Sequence, residues 1–189
     1  METDILAPPV EKHLWTFQEM LEKLPETNQP TELWNGELIV SAAPHRNHQK
    51  LVLNVARKLI DHVERQKLGE VYVSPIDVIL TEHRVVQPDV LFVSNENKGI
   101  LQDRIRGVPD LTVEVISEGS WRRDRIDKKE LYAQFGVKEY WIVDPAARTI
   151  EIFDLTPEGY KLHAKGSEDE PVNSKLLAGL SISFREVGH

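Results

Sequence analysis

Leu111-Thr112-Val113-Glu114-Val115-Ile116 is the most apolar strand-like run in the chain, and a single charge interrupts it. Its length and β-branched residues suit a strand covered by helices on both faces. A glutamate in the middle of such a strand is costly unless it is paired or bound to a cation. Upstream, Val90-Leu91-Phe92-Val93 reads as a second strand, and it too follows a carboxylate, Asp89, which itself follows Pro88. Two carboxylates on adjacent strands have the chemistry to hold a hard divalent cation such as magnesium, which favours oxygen ligands and keeps several waters. The plainer alternative is that each faces solvent at a sheet edge or pairs with an arginine.

Downstream, residues 121–135 have helical periodicity and end at Gly136. At about 100° per residue, Lys128 falls on the same face as Leu131, Tyr132 and Phe135, whereas Lys129 lies off that stripe. Lys128 therefore points toward the core, in line with Asp124 one turn earlier. The alternatives are an exposed Asp124–Lys128 pair, worth a few tenths of a kcal/mol, or an aliphatic stem that snorkels to water. Tyr132 reads as a core residue with a wet hydroxyl rather than as a catalytic group. Asp89, Glu114 and Lys128 together form a coherent set for phosphodiester hydrolysis. The carboxylates suit a cation that polarises phosphate and acidifies an attacking water, and the lysine suits the charge that builds in the transition state.

The remaining chain supplies a frame for these residues. Residues 1–15, with Pro8-Pro9, read as a flexible arm, and residues 16–189 as one nuclease-like domain. Thr16 and Glu19 make a capping box for a helix reaching about Leu24. Asn35-Gly36 predicts a tight turn between strands at 31–34 and 37–40. Val52, Val55, Leu59 and Val63 predict an amphipathic helix over 45–67, closed by Gly69. Strands are expected at 71–73, 76–80, 139–143, 149–153, around Tyr160, and at 180–184. Residues 95–109 read as a loop with one helical turn, and 167–170 as a solvated acidic loop. The class is α/β, a central mixed β-sheet flanked by helices with an N-terminal hairpin.

Composition narrows the function classes. The 189 residues are 40% hydrophobic and 29% charged, ordinary for a globular protein. No apolar run approaches the roughly 20 residues needed to span a bilayer. The N-terminus lacks the basic region and apolar stretch of a signal peptide, so the expectation is a cytoplasmic protein without membrane partners. The absence of cysteine excludes disulfides and thiolate zinc. A net charge of -8 argues mildly against coating nucleic acid through bulk charge, but not against a local basic patch around a cation-bearing centre.

Gln87-Pro88-Asp89, Val113-Glu114-Val115, Asp124-x-x-x-Lys128-x-x-x-Tyr132 and residues 136–145, Gly-Val-x-Glu-Tyr-Trp-Ile-Val-Asp-Pro, together resemble the Uma family ("putative restriction endonuclease") of the PD-(D/E)XK nuclease superfamily. The similarity spans about residues 16–160, and the closing block is its most specific part. The resemblance implies a restriction-endonuclease-like core and a magnesium-dependent site, with manganese able to substitute. It makes Asp89 and Glu114 the metal ligands. Where the superfamily usually has lysine, two residues after the glutamate, this chain has Ile116; the family pattern supplies the lysine from the following helix, at Lys128. Glu37 matches a family glutamate and is a candidate ligand or base, or else an ordinary exposed hairpin residue. His48 matches a family histidine and is a candidate for contacting substrate. The chain departs from the family at Ser117-Glu118-Gly119-Ser120, where the family tends toward Ser-Pro-Ser.

Arg122 and Arg125, in Trp121-Arg-Arg-Asp-Arg125, are candidates for phosphate contact, with Ser120 as helix cap; the alternative is a solvated first turn. His45 and His48 have a metal-like spacing without a third ligand, so zinc is not expected. The leading expectation is a metal-dependent endonuclease acting on DNA, with a homodimer by analogy to enzymes that cut both strands. Two others stand beside it. One is a scaffold that keeps the fold without catalysis. The other is a metal-dependent hydrolase of RNA or a small phosphate compound, which an acidic surface suits somewhat better.

Overall fold

The computed structural model describes residues 13–25, 29–117 and 119–188. The expected arm, residues 1–15, falls mostly outside them. In its described part, Trp15 N–H donates to Gly36 O at 2.8 Å. Helix α1 (Phe17–Lys23) carries the expected capping box, with reciprocal bonds between Thr16 and Glu19. Strands β1 (Thr31–Trp34) and β2 (Glu37–Val40) form the hairpin. Its turn places Asn35 and Gly36 at φ 49° and 82°, the left-handed region a two-residue hairpin turn demands.

Helix α2 (Arg46–Gln66) follows, and its left-handed closing residue is Lys67 rather than the expected Gly69. Gly69 instead opens β3 (Gly69–Val73), where a Cβ would meet Val93 O at 2.1 Å. The glycine is there for close strand approach, not for capping. Next come β4 (Val78–Thr81), β5 (Arg84–Val86), absent from the sequence expectations, and β6 (Val90–Ser94). Residues 95–109 hold a 3-10 turn over Asn95–Ile100 and a short strand β7 (Ile105–Arg106).

The apolar run becomes β8 (Leu111–Val115), buried at every position. The helical stretch after it is wider than an α-helix over Arg123–Lys128, a π-type segment, before α3 (Lys129–Phe135) ends on left-handed Gly136. Then come β9 (Glu139–Asp144) and the hairpin of β10 (Thr149–Thr156) and β11 (Gly159–Ser167). The chain closes with β12 (Val172–Asn173), β13 (Ser181–Ile182) and α4 (Phe184–Val187). The strand expected over 180–184 is cut to two residues because Ser183 and Glu186 form a second capping box. The acidic residues of the 167–170 loop are paired rather than merely solvated: Glu168 with Arg148, and Asp169 with Arg185.

The expected central mixed sheet is present, and the N-terminal hairpin belongs to a second sheet. Six strands run β11-β10-β9-β8-β6-β3, and five run β2-β1-β5-β4-β7. Within the six, β8 and β9 are parallel and every other pair is antiparallel. The C-terminal ends of β8 and β9 therefore open at the same edge. Alternation sends Val113 and Val115 into one core, with Val55, Leu59 and Val63 of α2, Trp141, Val143 and the C-terminal Leu180 and Phe184. It turns Glu114 to the opposite face, where Leu91, Tyr140 and Ile142 pack with Leu131 and Tyr132 of α3. Among the described residues, no helix is long and apolar enough to cross a membrane.

Glu139 ties the C-terminal segment to this sheet. Its buried carboxylate accepts from Trp141 Nε1, Ser174 Oγ, Lys175 N and Leu176 N at 2.6–3.0 Å. Glu139→Ala orphans several donors at once, so urea unfolding should show a loss of about 3 kcal/mol. Amide exchange should accelerate first over residues 174–188.

Candidate active site

Glu114 and Lys128 meet inside the molecule. Lys128 Nζ donates to Glu114 Oε1 at 2.8 Å, with the two residues only 2% and 5% exposed. β8 carries the glutamate onto the α3 face, and the helix entering α3 lies over that face. The inward direction expected for Lys128 is thus what the structure has. Tyr132, one turn further on, donates its hydroxyl to the same Oε1 at 2.7 Å. That hydroxyl is buried on the carboxylate and not wet, which corrects the sequence expectation.

Two further carboxylates face Lys128. Glu32 Oε1 lies 3.2 Å from Nζ, and Asp124 Oδ1 lies at 4.0 Å. Glu32 also accepts from Gln87 N at 2.9 Å and Trp34 Nε1 at 3.0 Å. It therefore connects the five-stranded sheet to the segment that leads into Asp89. Sequence reading missed Glu32 by treating β1 as half of an exposed hairpin. The available signal was the one that marked Glu114, a carboxylate between residues that are themselves buried, Thr31 and Leu33.

Asp89 sits just before β6, beside the end of β8, and its Oδ2 accepts from Val115 N at 2.7 Å. His48, near the start of α2, places Nε2 2.9 Å from Val115 O and 3.3 Å from Asp89 Oδ2. Two acceptors at one nitrogen require it to carry the proton. The other ring nitrogen, Nδ1, is buried with no partner among the described residues.

The remaining sequence candidates are exposed or otherwise engaged. Glu37 is exposed at the start of β2, the edge strand of its sheet. Arg125 is held by Asp144 at 2.9 Å and Glu151 at 2.8 Å, so its charge is already matched within the protein. Arg122 is exposed on the surface. His45 is also exposed and has no partnership with His48 in a ligand set. Ser120 does lie where the helix begins, its Oγ accepting from Ser117 N at 3.0 Å. Glu118, the family departure, lies outside the described residues.

The electrostatics follow from burial. Glu114, Glu32, Asp124 and Asp89 surround Lys128, and among the described residues His48 is the further cation in contact with them when protonated. Burial pushes the Glu114 carboxyl well above its ordinary value, and Asp124, Asp89 and Glu32 add to that, against the pull of Lys128. Burial likewise raises Asp124, partly offset by Lys128 and a hydrogen bond with Ser120. For Lys128, burial works against the charge, but the surrounding carboxylates prevail and hold it as ammonium. Burial also favours neutral His48, yet the bond to Asp89 raises its pKa overall.

These residues have the donors for a hard divalent cation. The bonds to Glu114 land on Oε1 and those to Asp89 on Oδ2, leaving the second oxygen of each outside these contacts. No group of three or more histidines or carboxylates among the described residues stands as a finished ligand cage.

Comparison with known proteins gives the family and the fold. A solved "putative nuclease belonging to DUF820" from Anabaena variabilis superposes with a TM-score of 0.76, covering 92% of this chain and 97% of that one at 18% identity. The protein thus has a nuclease-like α/β fold. The Uma2 family model, "Putative restriction endonuclease", matches residues 17–185, and the chain belongs to that family. A protein of Synechocystis sp., uncharacterized sll1609, is 26% identical over 140 residues, which span 72% of this chain and 78% of that relative.

The raised carboxyls set the pH dependence of folding. A carboxyl whose folded pKa is raised adds stability that is present below its ordinary value, 4.5 for Glu114, and is lost as pH rises through the folded value. His48 acts in the same sense from 6.5 upward. In EDTA, unfolding free energy should therefore decline from pH 4.5 toward neutrality. Glu114→Gln should flatten the decline and leave the variant at least as stable as wild type at pH 7.5. A wild-type curve that rises over this interval would contradict the assignment.

Proposed function

We propose that this protein is a divalent-cation-dependent endonuclease that hydrolyses phosphodiester bonds in DNA, with magnesium as the native ion and manganese as a substitute. The observation that carries this reading is the excess of buried carboxylates around a single charged lysine, at the edge where β8 and β9 end. A folded protein retains such an excess at a cost in stability. A bound cation and an incoming phosphate would give it use. Family membership and the nuclease-like fold support the same class of reaction.

Asp89 and Glu114 would hold the ion through the carboxylate oxygens that the contacts with Lys128, Tyr132, Val115 and His48 leave free of them. When bound, the ion supplies Lewis-acid polarisation of the phosphate and a lowered pKa for a coordinated water. The protein's own groups do the rest. Lys128, kept as ammonium, donates to charge that accumulates on the phosphoryl oxygens as a water oxygen bonds to phosphorus and the ester bond breaks. Glu32 and Asp124 restrain the ammonium, and Tyr132 holds Glu114 in one rotamer. His48 fixes Asp89 against the β8 backbone, a positioning role. The attacking water loses a proton and the leaving ester oxygen gains one.

Manganese titration followed by electron-spin resonance tests the ion before any substrate is known. Wild type should bind with a dissociation constant of about millimolar or tighter, and Glu114→Gln should bind at least tenfold more weakly. With magnesium and plasmid DNA, Lys128→Ala should reduce the cleavage rate by about 10²- to 10³-fold. Equal manganese binding by both proteins, with and without DNA, would remove the carboxylate site from the reading.

A further inference from the structure

Trp121 is half exposed, at 51%, and no core claims it. It stands in the turn of helix that follows the end of β8, on the side where Glu114 and Asp89 lie. Arg125, whose guanidinium carbon is 5.9 Å from the ring centroid, is anchored on Asp144 and Glu151 at the end of β9 and the start of β10. The indole is therefore backed by a fixed cation at the edge where the two parallel strands end. Arg122 and Arg123 stand beside it. Neither has a carboxylate within ion-pair distance among the described residues; Arg123 donates to Ser41 Oγ, at 3.2 Å. That bond links the residue after β2 to the start of the helix. From there the exposed stretch 42–47 leads to His48.

We infer that Trp121, Arg122 and Arg123 form a binding subsite for single-stranded nucleic acid, with the indole stacking on an unpaired base and the two arginines on flanking phosphates. This rests on the proposed nuclease reading and narrows its substrate to strands that offer an unstacked base, such as single strands, frayed ends or flaps. The physical case is one of complementarity. A chain of net charge -8 sets two arginines, without carboxylate partners among the described residues, next to an exposed aromatic at the rim of its own acidic centre. Phosphate satisfies the arginines, and a base offers the indole a π-face that an intact duplex keeps within its stack. A duplex would meet the arginines but leave the indole without a partner.

The measurement is fluorescence anisotropy of a labelled twelve-nucleotide single strand and of the matching blunt duplex. Calcium replaces magnesium, and strand integrity is checked on a gel. The full chain should bind the single strand several-fold more tightly than the duplex. Trp121→Ala should weaken single-strand binding about tenfold while leaving the duplex nearly unchanged, and Trp121→Phe should restore most of the loss. Replacing Arg122 and Arg123 by alanine should reduce the salt slope by roughly 0.7 for each phosphate that is no longer neutralised. Circular dichroism of the variants controls for folding. Trp121→Ala binding as well as wild type, or a wild-type preference for duplex, overturns the subsite even if the protein binds manganese and cuts DNA. Loss of single-strand affinity in Trp121→Ala upholds it even if no cleavage is ever found, in which case only the catalytic reading fails.

Discussion

Lys128 Nζ and Glu114 Oε1 face each other at 2.8 Å where water scarcely enters, and much of the fold exists to make that contact tolerable. The pair is not self-sufficient. The lysine also touches Glu32 from the other sheet and Asp124 from its own helix, and the glutamate takes a bond from Tyr132. One ammonium thus joins β8, the helix over it and the β1–β2 hairpin. Because the low-dielectric interior strengthens every term, attraction and repulsion alike, small shifts in this cluster carry large energies. Lys128 keeps four neighbouring carboxylates from repelling one another outright.

The backbone explains why the cluster lies at an edge rather than in the middle. β8 and β9 run parallel, so their C-terminal ends, and the turns leaving them, open together. Asp89 enters from the start of an antiparallel neighbour, which brings the beginning of β6 to the end of β8. His48 reaches the same place from the first turns of α2. The result is an acidic centre with arginines and an aromatic at its rim, on a chain whose total charge is negative. Local arrangement, not bulk charge, sets what such a protein can approach.

Legibility from sequence followed the strength of local rules. The hairpin at Asn35-Gly36, the capping box at Thr16, the periodicity of α2 and the closure at Gly136 all depend on neighbours within a few residues, and all were readable. Lys128 was readable because a charge on an apolar stripe is anomalous at any register close to 100° per residue; the π-type widening did not move it off the core side. Where two local rules competed, the reading failed. At residues 180–184 alternation suggested a strand, but the Ser183–Glu186 box won and made a helix. At Gly69 a glycine after a helix suggested a cap, whereas Lys67 took the left-handed turn and Gly69 served strand approach.

Sequence by itself marked Glu114 and Lys128 as charges on apolar faces that need partners if buried, since hydrophobic patterning and side-chain period are properties of the chain alone. It could not choose those partners. Glu32 and Glu37 lie on the two strands of one hairpin, chemically identical, and the family match pointed to the second. Only the docking of β1 in the interior of its sheet, with β2 at the edge, put Glu32 on Lys128 and left Glu37 on the surface. The same holds for Arg125, whose charge is spent on Asp144 and Glu151, while Arg122 and Arg123 have no carboxylate partner among the described residues. Which charges meet is a matter of long-range packing, and packing is what a linear pattern does not encode residue by residue.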